Sequence, residues 1–165
     1  MGKVNVRLLP HVKYDIMGRN KTKETVEILL RSVVHPLNTF EKPKYVVVLS
    51  FMNGQIMLSR HKARTTWETQ GGHIEPGETP MEAAKRELWE ESGAVEYTIE
   101  PLFDYWAGDD DDWATGVVFR ADIKRLSDIP ADSEMEEVRF FDALPENLTY
   151  AYISTELFAR EKDFI

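Results

Sequence analysis

Gly72–Ala94 reads GHIEPGETPMEAAKRELWEESGA, and this stretch decides the fold. It spaces four glutamates (Glu78, Glu87, Glu90, Glu91) and Arg86 between two glycines. Thr79 is suited to cap a helix, Pro80 follows where its missing N–H costs nothing, and Glu82 completes a capping box. Ala83, Ala84, Lys85, Arg86, Glu87 and Leu88 are good helix formers, and Gly93 supplies a left-handed residue to end the helix. At about 100° per residue, Glu91 lies about 40° to one side of Glu87 and Glu90 about 60° to the other. Three carboxylates therefore share one strip, beside an apolar stripe of Met81, Ala84 and Leu88 expected to face the core. Ala83, one turn before Glu87, is small enough on this reading to admit a bulky phosphate.

Most charge runs are solvated helix faces, and such a face intersperses lysine to soften repulsion. Here Lys85 and Arg86 precede the acids, and no basic residue follows until Arg120. Clustered carboxylates of this kind repel one another unless a divalent ion sits among them. Hard oxygen ligands, in a chain without cysteine, favour Mg2+ or Mn2+ over zinc.

The segment matches every fixed position of the signature G-x5-E-x7-R-E-U-x-E-E-x-G-U, with U apolar, and the chain therefore resembles the Nudix hydrolases. At average usage of about 5–7% per residue type, such a match would arise by chance about once in a million chains or less. The resemblance implies an α/β/α sandwich, a mixed β-sheet between helices, and Mg2+-assisted cleavage of a diphosphate linkage. It implies that Glu87, Glu90 and Glu91 bridge adjacent cations, and that the Gly71 carbonyl is a further ligand. Arg86 would orient Glu87 or bind phosphate, and Glu78 would support the ligands from behind. The general base is Glu87 or Glu134, the latter within Ser133–Glu137 in a place where many Nudix enzymes supply a further acid. The alternative for Glu134 is an ordinary solvated loop acid. Thr69-Gln70 replaces the apolar-Pro pair that usually precedes the glycines, a departure that touches loop geometry and leaves the acids intact.

With 165 residues and 42% hydrophobic content, the chain suits one domain spanning 1–165. No apolar run reaches about 18 residues, and the opening MGKVNVRLLPHVKYD lacks a secretory core, so the expectation is a cytoplasmic protein. A net charge of −9 argues against a general nucleic-acid binder. It does not exclude a polyphosphate, because bound cations reverse the local sign. Strands are expected over 24–34, 44–51, 55–60, 95–106, 113–123 and 137–142, with Asn53-Gly54 turning the first hairpin. A last helix is expected over about 151–162. Helices on both faces of a mixed sheet fit this order, with residues 1–40 as an N-terminal strand extension.

Substrate features come by elimination within the resemblance. Asp110 stands where a proline would mark ADP-ribose enzymes, and Asp111 where a tyrosine would mark dinucleoside polyphosphate enzymes. No coenzyme A feature is present. The chain is most similar to the MutT-type branch, which converts nucleoside triphosphates, sometimes oxidised ones, to monophosphate and pyrophosphate. The tail VRFFDALPENL (138–148) resembles that branch too. Trp67 and Tyr152 are candidates to flank a base, with Glu68 accepting hydrogen bonds from its edge; Trp106 and Trp113 are substitutes. Core packing is the commoner role of each aromatic. Arg60, Lys62 and Arg64 are candidate phosphate contacts or ordinary surface charge. The histidines (His11, His35, His61, His73) are scattered and form no ligand pair. Two other readings compete: a catalytically silent Nudix domain that senses a nucleotide or serves as an interaction module, and an isopentenyl diphosphate isomerase. Retention of every signature acid counts against the first, and the absence of cysteine against the second. The sequence leaves a homodimer open.

Overall fold

The computed structural model describes residues 30–109 and 112–164. Residues 1–29, and most of the strand expected over 24–34, lie outside the described residues, as do Asp110, Asp111 and Ile165. The elements are β1 (Arg31–His35), β2 (Tyr45–Met52), β3 (Gln55–His61), β4 (Gln70–His73), α1 (Pro80–Ser92), β5 (Ala94–Gly108), β6 (Trp113–Leu126), β7 (Met135–Phe141) and α2 (Ala151–Glu161). Their mixed sheet has the order β1-β5-β6-β2-β3-β7, with β4 also paired to β2.

Side-chain alternation along the central strands divides the core in two. Val46 and Val48 of β2, with Val117, Phe119, Ala121 and Ile123 of β6, pack against Ala83, Ala84 and Leu88 of α1. Leu49 and Val118, with Phe103 and Tyr105 of β5, pack instead against Leu157 of α2, joined by Val47, Phe51 and Tyr152. One helix thus covers each face, as the resemblance implies. Leu88 is fully buried, and its truncation to alanine would cost about 2–5 kcal/mol. Ala83 is buried in the α1-side core too, which corrects its reading as a gap for phosphate. The helical period carries it onto the sheet with Ala84.

Asn53 (φ 52°) and Gly54 (φ 82°) form the expected hairpin turn between β2 and β3. β2 runs parallel to β6 along Tyr45–Phe51. Its other edge is shared: Tyr45–Val48 pair with β4, and Ser50–Met52 pair with β3. The sequence reading treats Gln70–His73 as a loop, because two glycines have little strand propensity. Pairing with β2 overrides that propensity and sets the glycine pair beside α1. Among the described residues, no helix is long and apolar enough to cross a membrane.

Candidate active site

Helix α1 is anchored at both ends. Thr79 caps it and Glu82 Oε2 in return accepts the Thr79 N–H at 2.8 Å, while Gly93 closes it in the left-handed conformation. Its last turn is tied to the sheet: Ser59 Oγ donates to the Glu91 carbonyl at 2.8 Å, and Gln70 Nε2 donates to Ser59 Oγ at 2.7 Å. This brings two α1 carboxylates against β4. Glu91 Oε2 accepts the Gly71 N–H at 2.8 Å. A Cβ on Gly72 would lie 2.3 Å from Glu87 Oε1, so only glycine lets the Glu87 carboxylate rest there. Gly71 has φ 154°, and a Cβ there would stand 2.3 Å from the Val46 carbonyl oxygen.

Burial is the main cause that raises the pKa of Glu87, opposed by Arg86. Burial, together with repulsion from Glu87, Glu68 and Glu90, pushes Glu91 up to about 9 against the pull of the Gly71 N–H.

Arg86 is the hub behind these acids. Its Nε and Nη2 grip both oxygens of Glu78 at 2.7 and 2.9 Å. Nη1 donates to Glu87 at 2.8 Å and to Glu90 at 3.2 Å, and Nη2 also donates to the His73 carbonyl at 3.0 Å. A guanidinium has five N–H donors, and this set employs them all. The geometry is that of an orienting residue with no donor left for phosphate. The Arg86 contact is also what lowers Glu78 to about 2.

Among the described residues, no three His, Cys, Asp or Glu side chains converge as a ligand set in this arrangement. Glu90, held by the same Arg86 Nη1 as Glu87, has its side chain 44% exposed against 13% for Glu87. The donor chemistry nevertheless fits a hard divalent cation. Glu87 and Glu91 repel each other beside the glycine pair of β4, in a partly desolvated place where a dication relieves both penalties.

These acids open into a cleft of about 760 Å³. Of the residues singled out from sequence, Gly71, Glu87, Glu91, Glu68, Arg64, Glu134 and Tyr152 line it. Arg64 donates to Glu68 at 2.7 Å and lies over the Tyr150 ring, 5.8 Å from its centroid. Glu134, with its side chain 81% exposed, approaches Nε2 of His61 at 3.4 Å. His61 Nδ1 accepts the Ala63 N–H, which leaves Nε2 as the protonated nitrogen of the neutral ring.

Two expected substrate contacts lie elsewhere. Trp67 is 5% exposed, packs edge-on against Phe141 and is flanked by Arg60 and Arg139. Arg60 is engaged by Glu136 at 2.8 Å and Glu137 at 2.9 Å, bracing β3 against β7. Trp67 and Glu68 bridge to different neighbours, Leu148 and Ser59; Glu68 reaches the cleft while Trp67 packs against Phe141. Sequence reading missed Tyr105, Ala107 and Ala114, which also line the cleft. Alternation along β5 and β6 was the available signal.

Comparison with known proteins places these residues in context. Residues 41–151 match the model of the NUDIX domain. Over 109 residues the chain is 33% identical to a Bacillus subtilis (strain 168) protein bearing the provisional name 8-oxo-dGTP diphosphatase YtkD, covering 66% of this chain and 68% of that protein. It is 38% identical over 56 residues to the RNA pyrophosphohydrolase of Psychrobacter sp. (strain PRwf-1), covering 34% of this chain and 32% of that one. In structure it resembles the Bacillus subtilis pyrophosphohydrolase BsRppH, with TM-score 0.69 and 22% identity over 93% of this chain and 96% of that chain.

Proposed function

We propose that this chain, which belongs to the NUDIX family and is a Nudix hydrolase, converts a nucleoside triphosphate, oxidised forms included, to monophosphate and pyrophosphate with Mg2+. The observation that carries this reading is the pair of carboxylates, Glu87 and Glu91, pressed against the Gly71-Gly72 pair of β4 at the wall of the cleft. The similarity to a protein named as an 8-oxo-dGTP diphosphatase supports the nucleotide class.

Glu87 and Glu91, with Glu90 once released from Arg86 and the Gly71 carbonyl, would hold the divalent ions; Mn2+ is the expected substitute. Bound there, the ions supply charge neutralisation for the diphosphate and acidify water. Glu91 must give up its proton to ligate, because its raised pKa keeps it neutral at pH 7. Arg86 holds Glu87 in place and hands its remaining charge to Glu78. Arg64 is the one Lys or Arg among the described residues lining the cleft. It is positioned to leave Glu68 for a phosphate oxygen. Glu134, at the cleft wall and exposed, is assigned the general base, with His61 Nε2 3.4 Å from its carboxylate.

Turnover with Mg2+ should be measured across nucleoside triphosphates, 8-oxo forms, nucleotide sugars, dinucleoside polyphosphates and 5′-triphosphate RNA. Pyrophosphate release from triphosphates, lost in Glu91→Gln, is the expected result. Activity on nucleotide sugars alone would refute the substrate class, and nucleotide binding without any turnover would favour a sensor.

A further inference from the structure

Gln70 of β4 is a fully buried amide with no part in the chemistry proposed for the cleft. It belongs to the Thr69-Gln70 pair that departs from the resemblance read in the sequence. Its rung is shared with Val48 of β2. Directly opposed residues point to one face, and Val48 packs on the α1 side. There Gln70 Nε2 donates to Ser59 Oγ at 2.7 Å, and Ser59 Oγ donates to the Glu91 carbonyl at 2.8 Å. Chemistry fixes the direction of this relay. A carbonyl only accepts, so the one hydroxyl proton of Ser59 goes to Glu91, and Ser59 can only accept from Gln70. The amide must present its NH2 to Ser59, which leaves Oε1 buried without a hydrogen-bond partner. An orphaned buried acceptor disfavours the fold, and such conflicts gather where function overrides stability.

The far end of the relay shows what is held. The Glu91 carbonyl lies in the last turn of α1, and its helical donor would be the N–H of Val95, which already belongs to β5. Ser59 supplies a donor in its place. The Glu91 carboxylate meanwhile accepts the N–H of Gly71, the neighbour of Gln70. Strand β4 thus grips one glutamate twice, at its main chain through Ser59 and at its side chain directly. Ser59 is a firm intermediary, since its main chain and that of Glu68 exchange two hydrogen bonds of 2.9 Å.

We propose that Gln70 is a positioning residue: by orienting the Ser59 hydroxyl it fixes the Glu91 main chain, and with it the point at which the Glu91 carboxylate meets a divalent ion. The assignment rests on the metal reading of Glu91 above and adds the residue that sets its place. Gln70 itself touches neither ion nor substrate.

Gln70→Met keeps the length of the side chain and removes both the donor and the orphaned acceptor. In the full chain at one fixed pH, calorimetric affinity for Mn2+ alone should weaken about 10–100-fold, while the metal-free Tm holds or rises. A merely structural hydrogen bond would do the reverse, lowering Tm and leaving Mn2+ affinity alone. Pyrophosphate release should show a lower kcat with KM for the triphosphate unchanged within about twofold. Ser59→Ala should weaken Mn2+ binding to the same degree, and the double variant no further, because both changes act through one hydroxyl. Losses that multiply in the double variant, or wild-type Mn2+ affinity in Gln70→Met, overturn the assignment. Gln70→Leu takes the place of Gln70→Met should the latter not fold. Mn2+ held by the wild-type chain without hydrolysis of any triphosphate would sink the enzymatic reading alone. Hydrolysis by the wild-type chain, with Mn2+ affinity untouched in Gln70→Met, would sink the tether alone.

Discussion

Gly72→Ala tests whether the close fit between β4 and α1 sets the chemistry. The added methyl would begin 2.3 Å from Glu87 Oε1 and 2.6 Å from its Cδ. Ordinary contact starts near 3.4 Å, so the carboxylate must retreat by about 1 Å. The obstacle is the far end of a flexible side chain, so the fold accommodates it. Removing a glycine also trims unfolded-chain entropy, by about 0.4–1 kcal/mol, so the melting temperature should hold or rise by a few degrees. Misplacement of a reacting group by about 1 Å costs on the order of 10²-fold in rate. The expected outcome is a kcat about a hundredfold lower, with an unchanged or higher Tm, measured by pyrophosphate release and calorimetry on one preparation. Gly71→Ala is the contrasting case. Its methyl meets the Val46 main chain at φ 154°, so stability should fall along with activity. A Gly72→Ala enzyme within about threefold of wild-type turnover would refute the claim that the glycine pair of β4 positions Glu87.

Glu91→Gln should stabilise the metal-free protein while abolishing turnover. Below pH 4.5 Glu91 is protonated folded or unfolded; above it the unfolded chain ionises while the folded carboxyl keeps its proton up to about 9. Its contribution therefore declines through that window, on the order of 3 kcal/mol by pH 7, and the amide should flatten the decline in urea melts at pH 5 and pH 8. Between pH 6 and 8, apparent Mg2+ affinity should rise about tenfold per unit with release of about one proton; calorimetry in two buffers checks this, and a flat profile would contradict it. Arg86→Lys should lower kcat about a hundredfold or more, because one ammonium cannot serve Glu78, Glu87, Glu90 and the His73 carbonyl together; retained activity would show the hub to be dispensable. Glu134→Gln should reduce kcat about 10²–10⁴-fold with little change in KM, and an unaltered pH–rate profile would return Glu134 to the role of a solvated acid.

What the sequence could disclose was what local physics decides. Thr79, Pro80, Glu82 and Gly93 fix the ends of α1 within a few residues, and Asn53-Gly54 fixes a turn. The positions of Glu87 and Glu91 follow from helical period once those ends are known. Strand β4 stayed hidden because its glycines say nothing of the β2 edge that recruits them. Trp67 and Arg60 were misplaced because closeness in sequence to the glycine pair does not give the side chains each packs against. Arg86 was legible as orienting Glu87 or binding phosphate, and the exhaustion of its donors needed His73 and Glu78 in space.

The shared edge of β2 has an implication for variation. The excursion between His61 and Glu68 leaves and rejoins on neighbouring rungs, since Ser59 and Glu68 exchange main-chain hydrogen bonds and Gln70 then takes up Val48. It is therefore a natural splice point. Chain grafted there can reshape what enters the protein, while Glu87 and Glu91 keep their anchorage on α1 and β4.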